Sequence, residues 1–165
     1  DPEHAIAHVL DGKEDLSIAA RPANLPRGLA FKPIATSPLL FIAPLEQQVP
    51  NVPITSPTAS EEWESIPMIL SESGVSRARV DEWFRQREIK PRIYAQVTGN
   101  EAIVSMVSLG FGIGVVPKIV LDNSPLKDRI RVLGVTPELE PYDIGLFTLK
   151  KNLKNPLVDA FWCLM

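Results

Sequence analysis

Hydroxyl, amide and glycine residues gather twice at points where an apolar, strand-like run gives way to a helix-like one. Ser71, Ser73, Gly74, Val75 and Ser76 follow the run Met68, Ile69 and Leu70, and Gly99, Asn100 and Glu101 follow a stretch that alternates Ile93, Ala95 and Val97 with Tyr94, Gln96 and Thr98. The opening of a helix leaves backbone N–H groups without partners and carries a partial positive charge. Such a spot suits a small anion, a carboxylate for example. Most strand-to-helix junctions bind nothing and their hydroxyls merely cap the helix, but capping and binding are not exclusive.

Other chemistries find little support. Gly110, Gly112 and Gly114 resemble a dinucleotide fingerprint, but Val115 stands where the third glycine belongs and the glycines follow a helix instead of opening one. His4 and His8 share one helical face without the glutamate of a zinc-protease motif or an evident third ligand, so two surface histidines are expected and no metal. No carboxylate pair, Cys/His pair or nucleophile elbow is present, which argues against an enzyme. No cofactor is expected.

The elements that must hold these groups follow from periodicity. Arg92 to Thr98 reads as a strand with two different faces, Asn100 as an N-cap, and Glu101 to Leu109 as a helix burying Ile103, Met106 and Val107. Gly110 sits where a helix ends in a left-handed residue, and Gly112 to Val116 is a short strand stopped by Pro117. At the other junction Met68 to Leu70 is a buried strand, Ser71 to Ser76 a turn, and Arg77 to Glu88 a helix with Val80, Trp83 and Phe84 inward. A parallel crossover between the two would place both helix starts at the carboxyl edge of one sheet, where open α/β sheets bind ligands.

Around this centre, Asp1, Pro2 and Glu3 read as a helix opening, with Ile6, Val9 and Leu10 inward and Gly12 as the stop. Strands are expected at Leu16 to Ala20, Leu29 to Ile34, Leu39 to Ala43, Ile130 to Leu133 and Tyr142 to Leu149. Pro44, Pro50, Pro53 and Pro57 argue for a linker or surface loop, and short helices are expected at Ser60 to Glu64 and Lys118 to Leu121. Lys150, Lys151 and Lys154 form a solvated cationic turn. Asn155 caps and Pro156 opens a last helix whose Leu157, Val158, Phe161, Trp162, Leu164 and Met165 are too apolar to be left exposed, so it should dock on something.

The 165 residues could form one domain or two small ones, and 45% hydrophobic residues suffice for a core. A net charge of −3 leaves no basic footprint for nucleic acid. No apolar run approaches the ~20 residues of a membrane span. A single cysteine, Cys163, fits a reducing compartment, so a cytoplasmic location is expected. The opening at Asp1, with no methionine, suggests that something upstream was removed.

The order Asp15 to Ala19 (DLSIA), Leu39 to Pro44 (LLFIAP), Gly99 to Pro117 (GNEAIVSMVSLGFGIGVVP) and Asn155 to Phe161 (NPLVDAF) resembles the effector-binding domain of LysR-type transcriptional regulators over nearly the whole chain. The block 100–125 and the Phe161, Trp162 ending look closest to members that control isoleucine and valine biosynthesis. The resemblance implies an α/β fold of the periplasmic-binding-protein type (type 2), two subdomains joined by two crossing strands at 37–43 and 142–149, with a small effector in the cleft between them. Residues 1–38 and 142–165 would form what remains of subdomain I, and residues 39–141 subdomain II. The N-terminal winged helix-turn-helix, its linker helix and the opening strand, helix and strand of subdomain I would lie outside this sequence. Effector contacts would come from Ser71, Ser73, Gly74, Val75, Gly99, Asn100 and Glu101 on one side and Ala20, Thr36 and Ser37 on the other. The expected effector is a small carboxylate, an acetohydroxy acid of the branched-chain pathway. A homodimer or tetramer is implied, with DNA reached only through the missing head. A secreted solute-binding protein of the same fold, feeding a transporter, is the alternative, and an enzyme a weaker third.

Overall fold

The computed structural model describes residues 2–45 and 55–164; the expectations for Asp1, for the side chains of Pro2 and Glu3, and for Pro50, Pro53 and Met165 lie outside the described residues. Its contacts divide the chain into two units, Asp1–Ser37 with Pro141–Met165, and Pro38–Glu140.

Unit 1 contains α1 (Pro2–Leu10), β1 (Ser17–Ala20) and β2 (Leu29–Ser37), and it receives the last strand and helix of the chain. Unit 2 runs β3 (Leu39–Pro44), α2 (Ser60–Ser65), β4 (Pro67–Ser71), α3 (Gly74–Arg85), β5 (Arg92–Val97), α4 (Asn100–Ser108), β6 (Ile113–Pro117), α5 (Lys118–Asn123), a 3-10 turn (Lys127–Arg129) and β7 (Ile130–Val132). The chain then returns to unit 1 as β8 (Tyr142–Leu149), a 3-10 turn (Lys150–Lys154) and α6 (Pro156–Leu164).

Unit 2 is built on a five-stranded sheet of order β5-β4-β6-β3-β7, with β4 parallel to both β5 and β6, and β3 antiparallel to β6 and β7. Met68, Ile69 and Leu70 of β4 are almost wholly buried, because alternate residues of a strand face opposite sides and here both sides are covered. On one side α4 packs Ile103, Val104 and Val107 against Ile42, Ile69 and Val116. Each such side chain contributes about 1.5 to 3 kcal/mol by leaving water. Phe41, next to Ile42 on β3, faces the other side and meets Trp63, Trp83 and Phe84 at ring-centroid separations of 5.0, 5.2 and 6.2 Å. Gly114 of β6 lets α4 approach: a Cβ there would come within 2.5 Å of Ile103 Cγ2 and 2.9 Å of Val107 Cγ2.

Unit 1 is a three-stranded antiparallel sheet, β1-β8-β2, with α1 against it and Val9, Ala19, Leu29 and Phe147 at its centre. Phe31 and Phe147 lie 4.9 Å apart, and Thr148 Oγ1 donates to the Asp15 carbonyl at 2.7 Å. Asn155 caps α6 as expected, its Oδ1 accepting from Leu157 N at 3.0 Å. Lys32 Nζ donates to the Trp162 carbonyl near the end of α6 at 2.7 Å, placing a cation at a helix C-terminus.

Several boundaries differ from expectation for physical reasons. Leu10 is exposed, not inward. Pro117 ends β6 as expected, whereas Pro44, expected in a linker or loop, is the last paired residue of β3, opposite Ile130, where a missing N–H is tolerated. The last helix buries Val158, but Leu157 and Leu164 are 81% and 83% exposed and Phe161 is also exposed, so the docking its composition called for is not met within the described residues.

Replacing Gly114 by alanine should lower the unfolding free energy by about 1 to 3 kcal/mol through overpacking against α4. Urea denaturation followed by tryptophan emission measures this; an unchanged midpoint would mean that α4 moves away at no cost.

Candidate functional site

The pairing of β4 with β5 places both junctions side by side. Ser71 is in register with Val97, and Glu72 N donates to the Val97 carbonyl at 3.1 Å, so the turn after β4 is stitched to the end of β5. Thr98 Oγ1 completes the seam by donating to Glu72 Oε2 at 3.1 Å. Because the strands are parallel, α3 and α4 open at the same, carboxyl edge.

The helix openings are not the ones the residue types suggested. Gly99, not Asn100, is the N-cap of α4, at φ 89 and ψ 131, and Asn100 is already its first helical residue. The positive φ favours glycine, so the chain enters the helix one residue earlier than a capping asparagine would allow. Similarly α3 begins at Gly74 with Ser73 as N-cap, so Gly74, Val75 and Ser76 belong to its first turn instead of preceding it. Neither Ser73 nor Gly99 makes a side-chain capping bond. The first-turn N–H donors of both helices are therefore not taken by their own N-caps. Ser73 is exposed, Gly74, Val75 and Asn100 are half-buried, and Ser76 is buried.

A residue not singled out beforehand ties the junctions together. Arg77, in the second turn of α3, donates through Nη1 to the Ser71 carbonyl at 3.0 Å and to Gln96 Oε1 at 2.6 Å. Its Nε lies 2.8 Å from Asp81 Oδ1 and 3.0 Å from Asp81 Oδ2. One guanidinium thus holds the end of β4, the end of β5 and the flank of α3 in a fixed arrangement. The Arg77 and Asp81 spacing, four residues apart on a helix, was the available signal. Glu72 and Glu101 are exposed carboxylates at the same edge, so an incoming anion meets the field of two helix openings and two outward-facing acids.

Ala20, Thr36 and Ser37 lie in unit 1 and share one end of its sheet. Ala20 pairs with Ile144, while Thr36 and Ser37 pair with Asp143 and Tyr142. Asp143 is the local hub: its carbonyl accepts from Arg21 N at 2.8 Å, and its Oδ1 accepts from Thr36 Oγ1 at 2.8 Å. Among the described residues no cluster of three or more His, Cys, Asp or Glu could hold a metal.

These features define an α/β domain in which two helix N-termini open side by side at the carboxyl edge of a parallel strand pair. All 165 residues match the family model of the LysR substrate binding domain, and the chain belongs to that family. It is 40% identical over 98% of its length to the HTH-type transcriptional activator IlvY of Salmonella typhimurium, covering 55% of that protein. Among solved structures it is similar to the Synechocystis CcmR regulatory domain in complex with 2-PG, with TM-score 0.80 and 19% identity over 99% of this chain and 77% of that one. The effector binding domain of QuiR in complex with shikimate gives TM-score 0.74 and 22% identity, over 96% of this chain and 73% of that one. The fold is the type 2 periplasmic-binding-like fold. The chain spans about half the length of the curated relatives it matches. No helix of the described residues is long and apolar enough to cross a membrane.

If Arg77 locks the two junctions, Arg77→Met should speed hydrogen exchange of the amides of residues 72–75 and 98–101, with a stability loss of about 1 to 3 kcal/mol from the unpaired carbonyl and amide. Arg85→Met, which removes only a surface pairing with Glu82, should leave those amides unchanged.

Proposed function

We propose that the chain is the effector-sensing part of a transcriptional regulator of branched-chain amino acid synthesis, and that its ligand is an acetohydroxy acid held by its carboxylate at the β4–α3 and β5–α4 junctions. The observation that carries this reading is the pair of adjacent helix openings whose N-caps leave their donors free. A carboxylate accepts several N–H bonds at once and is favoured by each helix terminus by ~0.3 to 1 kcal/mol, more when partly buried. Ser71, Ser73, Gly74, Val75, Gly99, Asn100 and Glu101 form the proposed contact set. Ala20, Thr36 and Ser37 stay effector contacts on the family resemblance alone. The solute-binder alternative loses support because the curated relatives carry the name of transcriptional activators.

Calorimetric titration of the 165-residue chain with an acetohydroxy acid tests the placement. Ser73→Ala and Asn100→Leu should each weaken binding by about fivefold or more, the loss of ~1 kcal/mol of hydrogen bonding to a charged group. Since neither side chain caps its helix, both variants should keep the parent's circular dichroism and unfolding midpoint. Unchanged affinity in both folded variants rejects the site.

The regulatory reading also assigns DNA recognition to a part of the protein outside this sequence and self-association to this part. The chain should show no turnover of acetohydroxy acids, and with a net charge of −3 only weak, salt-sensitive, sequence-independent association with promoter DNA. Sedimentation at micromolar concentration should show dimers or larger species, in keeping with the exposed Leu157, Phe161 and Leu164. Specific nanomolar DNA binding, or a strictly monomeric chain, would each contradict its part of the assignment.

A further inference from the structure

A cavity of about 410 Å³ opens on unit 2 beside α2 and the end of α3, away from the β4–α3 and β5–α4 junctions in sequence and in lining residues. Its walls include the indoles of Trp63 and Trp83, the Arg87 side chain and the hydroxyl residues Ser56, Ser60 and Thr136. The size lies within the roughly 300 to 1,000 Å³ of small-molecule sites.

The wall is rigid where it matters. Trp63 and Trp83 are nearly fully buried in the aromatic cluster under Phe41, and Trp83 Nε1 is held by the Pro137 carbonyl at 2.8 Å. Arg87 sits over this platform, its Cζ 3.9 Å from the Trp83 ring centroid, while its Nη1 donates to the Trp83 carbonyl at 2.6 Å. Glu88, at φ 56, turns the chain so that Ile89 N returns to the Phe84 carbonyl at 3.1 Å and Ile89 also joins the cavity wall.

The charge of Arg87 sets it apart from its neighbours. Arg77, Arg79 and Arg85 on α3 pair with Asp81, Glu140 and Glu82, whereas no carboxylate pairs with Arg87 among the described residues. Among the described residues its one hydrogen bond satisfies the end of α3 and leaves the rest of the five-donor fork without a partner, half-buried at a cavity lined by Ser56, Ser60 and Thr136. A guanidinium fixed by stacking is pre-organised for two parallel bonds to a carboxylate. We propose that this cavity is a second ligand site, separate from the junction site, that takes a small hydroxyl-bearing carboxylate with its anionic end on Arg87 and its hydroxyl on the Ser and Thr wall.

Titrating the 165-residue chain with sodium 2-hydroxyisobutyrate while reading tryptophan emission tests it, since two of the three tryptophans line the cavity. A saturable change is expected, weakened about tenfold or more in Arg87→Met, which keeps an apolar stem over Trp83 but no donors. Arg87→Lys retains charge and stem and should fold even where the methionine variant does not; losing the fork should cost it severalfold in affinity. The neutral 2-hydroxyisobutyramide should not compete, and isobutyrate should bind more weakly. Ser73→Ala and Asn100→Leu should leave this titration unchanged, which separates it from the junction site. No saturable change in the parent chain, parental affinity in both Arg87 variants, or a response abolished by Ser73→Ala would each overturn the proposal.

Discussion

The parallel pairing of β4 with β5 is the contact on which the site depends. An antiparallel neighbour would send the second helix off the opposite edge of the sheet, and the two sets of first-turn N–H groups would never meet. The pairing is fastened at its carboxyl end, by the main-chain bond from Glu72 N to the Val97 carbonyl and by Arg77 bridging Ser71 and Gln96. It persists because β4 is buried on both faces, under α4 on one side and the Phe41, Trp63, Trp83 and Phe84 cluster on the other. The same apolar packing that stabilises unit 2 therefore aims its donors.

How much of this could be read from the residues depends on the range of the force involved. Strands such as Tyr142 to Leu149 and the terminal cap at Asn155 are local, and their periodicity and capping chemistry place them. The shared carboxyl edge was also legible, because handedness restricts how a parallel crossover can close. The exact helix openings were not. Asn100 has the chemistry of an N-cap, but Gly99 can take a positive φ that asparagine adopts less readily, and backbone geometry overrode side-chain preference. Pro44 misled in the opposite sense, since a proline is compatible with a strand terminus whose N–H has no partner to find.

Arg77 and Arg87 illustrate a second limit. Both stand in one short stretch of alternating charges, where a solvated helix face is the ordinary reading. What distinguishes Arg77 is tertiary, since Gln96 comes to it only after β5 pairs with β4, whereas Arg87 and Trp83 stand four residues apart and one helical turn brings them together. Gln96, nineteen residues on, lies outside any helical window that contains Arg77.

The energetics of the proposed junction site constrain what could act as its ligand. Two helix openings supply ~0.3 to 1 kcal/mol each, and two or three bonds to a carboxylate ~1.5 to 3 kcal/mol each. Against these stands an association cost of about 4 kcal/mol or more in lost translational and rotational freedom. The exposed carboxylates of Glu72 and Glu101 subtract further, by ~1 kcal/mol for a charge 4 Å away in water. A bare carboxylate such as acetate is thus left with little net affinity, and discrimination has to come from the remainder of the molecule. A hydroxyl and a small alkyl group beside the carboxylate would supply it, because an analogue lacking them would leave polar groups of the proposed site unpaired. The same two acids also weigh against multiply charged ligands, because repulsion grows with each added negative charge while the number of free N–H donors stays fixed. The proposed site is therefore better suited to a monoanion that carries its own hydrogen-bonding handle.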